Sequence, residues 1–321
     1  MNKTALAILI SAITINTVFA FGNENKRSKE INAEELTAYN DKLTNDNAFC
    51  LIKDALSRNY FEDVAFNWES YSTISHTFSH KIKTELGITD QARSGRCWIF
   101  AGTNLMRVPF IEKHNLTSFE FSESYVFFYD KLEKANYFLE NIIATAKEDL
   151  DSQILNFLLN DPLSDGGFWN MFSSIVKKYG IVPKSVFPDS NASLDSRDFN
   201  KILQYKLKHW ASQLRTSIKD GASDHDLQTM KAQMIKETYR ILGTHFGIPP
   251  SNFDWEYMDK DNKYHIHQNL SPRSFLDDFV DFPFDDMVCL AHSPRPTTPQ
   301  KQVYELTYIT NVLGGDRNIF Y

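Results

Sequence analysis

Cys97 opens an apolar-periodic run and directly follows the turn-forming stretch Ser94-Gly95-Arg96. A thiol attacks a carbonyl only as its thiolate, and the partial positive charge of a helix N-terminus favours that form. Upstream, Gln91 carries a side-chain amide that can donate to an oxyanion developing beside such a sulfur. The chemistry expected is nucleophilic attack on an acyl group through a covalent intermediate. The other two cysteines differ: Cys50 lies between Phe49 and Leu51, and Cys289 lies within Met287-Val288-Cys289-Leu290. Both read as small buried hydrophobes. Three cysteines make no disulfide framework.

The element that presents Cys97 is a helix, since Trp98, Ala101, Leu105 and Val108 recur at helical spacing, and Pro109 is expected to stop it. Residues 29–60 are polar and read as helical, with the stretch Glu34 to Leu43 on a mixed face. Two more helices are expected over 122–133 and 137–159. Asp165-Gly166-Gly167 forms a sharp loop before a helix over Trp169–Tyr179 that Gly180 closes. Residues 196–246 form a long helical stretch, interrupted at Asp220-Gly221 and ended by Gly247 and Pro249-Pro250. Its stripe of Leu203, Leu207, Trp210 and Leu214 reads as core or subunit contact. After Pro250, alternation over 253–257 and 303–308 predicts strands. Helices first and strands late give an α+β fold.

The chain has 321 residues, 34 Lys+Arg against 41 Asp+Glu, and a formal charge of −7. An acidic chain without a Lys/Arg-rich run is not built to neutralise phosphates, so no nucleic-acid partner is expected. With 42% hydrophobic and 23% charged residues it is a globular composition. Residues 1–20 read as an export signal: Lys3 precedes a short apolar run that ends in Val18-Phe19-Ala20, with small residues at the cut. The run falls short of the ~20 residues of a membrane helix, so no membrane association is expected once it is removed.

Gln91-Ala92-Arg93-Ser94-Gly95-Arg96-Cys97-Trp98-Ile99-Phe100 resembles the nucleophile motif of papain-like cysteine peptidases, and within them the bleomycin hydrolase and bacterial aminopeptidase C group. Further segments resemble the group in order: Phe121-Ser122-Glu123-Ser124-Tyr125, Asp130-Lys131-Leu132-Glu133-Lys134-Ala135-Asn136, Asp165-Gly166-Gly167, Tyr179-Gly180-Ile181-Val182-Pro183-Lys184 and Trp255-Glu256-Tyr257. The resemblance implies a papain-like fold with a large helical insertion. Residues 21–192 would be the helical half, 193–250 the insertion and 251–321 the start of the β half. It implies that Cys97 is the nucleophile and Gln91 the oxyanion donor. Asp165, Gly166 and Gly167, with Trp98, would hold a peptide substrate by its backbone, where glycine allows close approach. An aminopeptidase in a homohexameric ring is implied by the same resemblance, with no metal and no cofactor. The group's habit places such enzymes in the cytoplasm, the alternative to export.

Papain's histidine comes ~130–150 residues after its cysteine, and His245 falls in that window. His245 continues the helical run Ile241-Leu242-Gly243-Thr244, and in the group the insertion moves the histidine further downstream onto a strand, with an asparagine in an Asn-Ser-Trp-Gly context. That context does not occur here, so a C-terminally truncated β half is expected. The alternative to an active peptidase is an inactive remnant that binds peptides or forms oligomers. His265 and His267 share a strand face but lack a third ligand, and read as an exposed hairpin.

Overall fold

The computed structural model describes residues 31–82, 84, 86–293 and 295–321, so the signal reading for residues 1–20 lies outside the described residues. By contacts the chain divides after Lys81 into two units.

The first unit holds α1 (Ala33–Thr44), α2 (Asn47–Leu56), α3 (Phe61–Val64) and α4 (Trp68–Ser72). Asn32 and Glu35 form a reciprocal capping box at the start of α1, and the helical stretch expected over 29–60 is helical in α1 and α2 but broken at Asn45-Asp46, where α1 ends and the cap of α2 begins. Asp46 caps α2 by accepting from the N–H groups of Ala48 and Phe49. None of the four helices buries a residue completely. Leu36, Leu51, Phe61 and Trp68 are exposed.

The second unit begins its helices with α5 (Cys97–Lys113). Cys97 is its first residue, as expected, but the helix does not stop at Pro109. A proline inside a helix costs about 3 kcal/mol through its missing N–H and its ring. Pro109 sits on the exposed side, whereas Met106, Phe110 and Ile111 are almost wholly buried. Burying Phe110 and Ile111, at about 1.5–3 kcal/mol each, offsets that cost.

Next comes α6 (Glu123–Ala144), where Ser122 accepts from the Tyr125 N–H as cap. It is one helix where two are expected from the sequence. The polar stretch Lys134-Ala135-Asn136 resembles a break, yet Lys134 and Ala135 are buried within the helix, and Lys134 pairs with Asp130 one turn earlier at 2.8 Å. The chain turns instead at Thr145, and α7 (Gln153–Asn160) starts behind its Ser152 cap. The helix α8 (Trp169–Tyr179) has the expected bounds, and Gly180 closes it with φ +77°. A Cβ on Gly180 would lie 2.2 Å from the carbonyl oxygen of Pro272, to which the Ile181 N–H donates at 3.1 Å. Glycine there lets a distant segment dock against the helix end.

A single turn, α9 (Asn191–Leu194), leads into α10 (Arg197–Lys219) and α11 (Asp224–Phe246), which separate at the expected interruption. Leu203, Leu207, Trp210 and Leu214 are buried, so their stripe is core; α10 and α11 both pack on α6. Strands β1 (Phe253–Met258) and β2 (Tyr264–Leu270) form an antiparallel hairpin, and Phe253 and Trp255 point inward. After α12 (Pro272–Phe275) and a π-helical turn at Leu276–Val280 come β3 (Val303–Glu305) and β4 (Asn318–Phe320), an antiparallel pair. The strand expected over 303–308 is shorter, because Tyr308 adopts a left-handed φ of +65° and the pairing stops at Glu305. Helices succeeded by short antiparallel pairs make the fold α+β.

Candidate active site

The turn before α5 is built from its own hydrogen bonds. The Ala92 N–H donates to Asp90 at 2.7 Å, and the Ser94 hydroxyl donates to the Gln91 carbonyl at 2.7 Å. Arg96 is fully buried; its Nε donates to the Ser94 hydroxyl at 2.9 Å, and its Nη1 to Ser124 at 3.2 Å and Asp189 at 2.8 Å. Burial pushes the Asp189 carboxyl up, but hydrogen bonds from Ser124 and Arg96 together with the nearby charges outweigh it and hold the pKa low. The guanidinium also lies over the Phe100 ring at 5.2 Å. A buried charge is tolerated when paired and hydrogen-bonded in this way. The residue directly before Cys97 is therefore fixed.

Cys97 itself is exposed. No side chain caps α5, and among the described residues the N–H groups of Cys97 and Trp98 have no protein acceptor. Those free donors at a helix start suit an anion forming beside the sulfur. Gln91 is half-buried, and its side-chain oxygen is buried without a partner. Its backbone is tied through Ser94 to Arg96, which brings it into the same turn as the cysteine.

Asp165 holds the second half of the site. Its Oδ2 accepts from the Gly95 N–H at 3.2 Å and from Ser196 at 2.5 Å, and its Oδ1 accepts from Asn200 at 2.7 Å and Lys131 at 2.5 Å. Burial alone pushes the Asp165 carboxyl up; the charge of Lys131 and these hydrogen bonds outweigh it and hold the pKa to about 2. Burial likewise pushes the Lys131 ammonium down, and Asp165 opposes that. The Asp165 side chain is thus turned inward, and its carbonyl accepts from the Trp98 indole N–H at 2.7 Å. A Cβ on Gly95 would meet Asp165 at 2.5 Å, and one on Gly167 would meet the Trp98 ring at 2.5 Å. Both glycines are needed for the close approach of the two segments.

Gly166 and Gly167 line a cleft of about 340 Å³, with Tyr137 and Phe138 of α6, Met171 of α8 and the stretch Tyr308, Ile309 and Thr310. Among the described residues neither the N–H nor the C=O of Gly167 has a protein partner. An extended peptide can satisfy such groups by pairing along the backbone. Cys97, Gln91, Trp98 and Asp165-Gly166-Gly167 are brought together by these bonds.

The remaining candidates fall elsewhere. His245 bonds the Ile241 carbonyl of its own helix at 2.8 Å and packs on Phe199. Among the described residues no group hydrogen-bonds to the Cys97 thiol. His265 lies on the expected hairpin, bonds Asp259 at 2.9 Å and stacks on Tyr257; His267 stacks on Trp255. Among the described residues no cluster of three or more His, Cys, Asp or Glu is gathered for a metal ion. Cys50 and Cys289 are half-buried, not buried as expected: Cys50 lies on α2, which buries no residue, and Cys289 lies between the exposed Val288 and Leu290; burial and Asp316 push the Cys289 thiol up. Sequence reasoning misses Arg96, Lys131 and Lys134 as parts of the site. A signal is present: Asp130, Lys131 and Lys134 interrupt a helix rich in aromatics such as Phe127, Phe128 and Phe138.

Fold and site together are of the papain-like class, a mixed α and β fold with the cysteine at a helix start. The chain belongs to the Peptidase C1-like family, whose model matches residues 30–321. It is 36% identical over 295 residues to bleomycin hydrolase of Gallus gallus, covering 90% of this chain and 65% of that protein. Aminopeptidase C of Lactobacillus delbrueckii subsp. lactis is 34% identical over 288 residues, covering 90% of this chain and 64% of the relative. The crystal structure of PepW from Lactobacillus rhamnosis superposes with a TM-score of 0.86 at 38% identity, covering 91% of this chain and 66% of that one. The chain thus spans just under two thirds of the length of these relatives.

Proposed function

We propose that these residues carry the nucleophile and the substrate-binding segment of a cysteine peptidase of aminopeptidase type. One observation carries the reading: an exposed cysteine opens α5 beside free N–H groups, and the Trp98 that follows it bonds the segment whose Gly166 and Gly167 line a cleft. In this reading a peptide pairs with Gly167, and the Cys97 thiolate attacks the carbonyl presented to it. The Cys97 N–H and the Gln91 amide bind the oxyanion, and the leaving amine departs as an acyl-enzyme forms. Water then releases the acid. The proton acceptor and its orienting partner belong, in this proposal, to the part of the relatives' length that these residues do not span.

The same reading takes residues 1–20 as an export signal, with the cytoplasm as the alternative, and a homohexameric ring as the assembly. It divides the chain into a helical half at 21–192, an insertion at 193–250 and the start of the β half at 251–321. Peptides are the proposed substrates, with no metal or cofactor called on.

The test uses an aminoacyl chloromethyl ketone and mass spectrometry on the 321-residue chain. Labelling is expected at Cys97 ahead of Cys50 and Cys289, and is expected to vanish in Cys97→Ser. Equal labelling of the three thiols would sink the reading. An aminoacyl-fluorophore assay on the same protein separates an active chain from an inactive peptide-binding one.

A further inference from the structure

The segment Asp130-Lys131-Leu132-Glu133-Lys134 of α6 has no part in the chemistry proposed for Cys97, yet it sits beneath the cleft. Lys131 is fully buried and donates to the carbonyls of Leu163 at 2.9 Å and Ser164 at 3.2 Å as well as to Asp165. Lys134 is nearly buried and donates to the carbonyls of Ser164 at 2.7 Å and Gly166 at 2.8 Å. Its ammonium also lies 5.4 Å from the centre of the Trp98 ring. Asp130 is fully buried, pairs with Lys134 at 2.8 Å, and accepts from the Asn311 side-chain amide at 2.9 Å. Asn311 comes immediately after Thr310, which lines the facing wall of the cleft.

We infer that Lys134, with Asp130, is a positioning pair that fixes both walls of the peptide cleft from below; the inference rests on the cleft being the proposed peptide site. The geometry works in two directions from one helical turn. Lys134 ties the Gly166 carbonyl downward, which leaves the groups of Gly167 for a peptide. Asp130 holds Asn311 and with it the stretch of Ile309 and Thr310. Charge-assisted bonds to backbone carbonyls are short and directional, so they fix a segment that has no secondary structure of its own. Two buried ions are a poor choice for stability alone, since well-packed apolar groups of the same volume do as well or better. Precise placement of a binding edge accounts for their presence.

The experiment uses the full chain in a Cys97→Ser background and two readouts. The first is the indole N–H signal of Trp98 in a tryptophan-labelled nuclear magnetic resonance spectrum, assigned with Trp98→Phe among the five tryptophans. The second is the affinity for a fluorescent aminoacyl peptide. Lys134→Met keeps the unbranched stem and removes the terminal ammonium with its charge; Asp130→Asn with Lys134→Met leaves no orphaned buried carboxylate, and serves if the single variant does not fold. Expected are roughly tenfold faster hydrogen exchange of the Trp98 indole and roughly tenfold weaker peptide binding, with the Trp210 and Trp255 signals unchanged. Lys134→Arg is expected to restore most of both. If a folded variant keeps the parental Trp98 exchange and affinity, the inference is overturned. If Trp98 exchange responds but the parent binds no peptide, the positioning role stands and the peptidase reading falls.

Discussion

The indole N–H of Trp98 donates to the backbone carbonyl of Asp165 at 2.7 Å, joining the residue after the cysteine to the residue before the two glycines. With the Gly95 N–H bonded to the carboxylate of the same aspartate, the nucleophile turn and the glycine segment are held at two points on either side of Cys97. A rigid first contact of this kind is what places a reacting atom without a further ordering cost.

Gly167→Ala tests that join. The added methyl would enter the Trp98 ring, whose indole is already fixed. Overpacking of this sort costs about 1–3 kcal/mol. Urea unfolding of the variant is expected to show that loss, with peptide affinity falling further than stability explains.

Asp165→Asn addresses the electrostatics. The variant leaves the fully buried Lys131 without its carboxylate, so a loss of about 3–5 kcal/mol is expected at neutral pH. In the parent the Asp165 carboxyl titrates near 2, below its unfolded value of about 3.9. Its contribution is therefore complete above about pH 4 and lost as the pH falls towards 2. Acid titration of ellipticity is expected to show a shallower limb in the variant than in the parent.

The hairpin offers a second pH dependence. Burial first, and His265 second, push the His267 imidazole below its usual range; burial also lowers His114, which bonds the Phe279 carbonyl. A depressed histidine contributes stability that is complete above the unfolded pKa of about 6.5 and lost as the pH falls below it. His267→Phe keeps the stack on Trp255 and removes the charge. Its melting temperature is expected to fall less than the parent's between about pH 7.5 and about pH 5.

Pro109→Ala restores an N–H donor within α5 at an exposed position. The greater freedom of the unfolded alanine chain opposes the gain. A net stabilisation of about 1 kcal/mol, read by chemical denaturation, is expected. A destabilised variant would show that the proline is accommodated without cost.

Much of the fold and the site is legible in the sequence. Cap and stop residues place α8, α10 and α11 well, since Gly180, Asp220-Gly221 and Gly247 act locally. Cys97 at a helix start and the Asp165-Gly166-Gly167 loop are readable for the same reason. The departures share a cause, in that tertiary burial overrides a local signal. Pro109 is carried by Phe110 and Ile111, and Lys134 stays helical because Asp130 and the loop carbonyls receive its charge. Arg96 has the local character of a turn residue, and only its distant partner Asp189 shows it to be a buried anchor. Such partners lie far apart in the chain and leave no periodic trace.

The notch at Gly180 makes the end of α8 a seat for a distant part of the chain. The carbonyl of Pro272 seats within a space that exists only once α8 has ended in its left-handed turn. Docking of α12 and the chain beyond it thus depends on the form of that helix terminus, which gives the segment leading to the last strands its seat. Gly180→Ala is expected to leave the helices native by circular dichroism while residues after Pro272 become open to limited proteolysis. A variant as resistant as the parent would show that α12 finds its place without that seat.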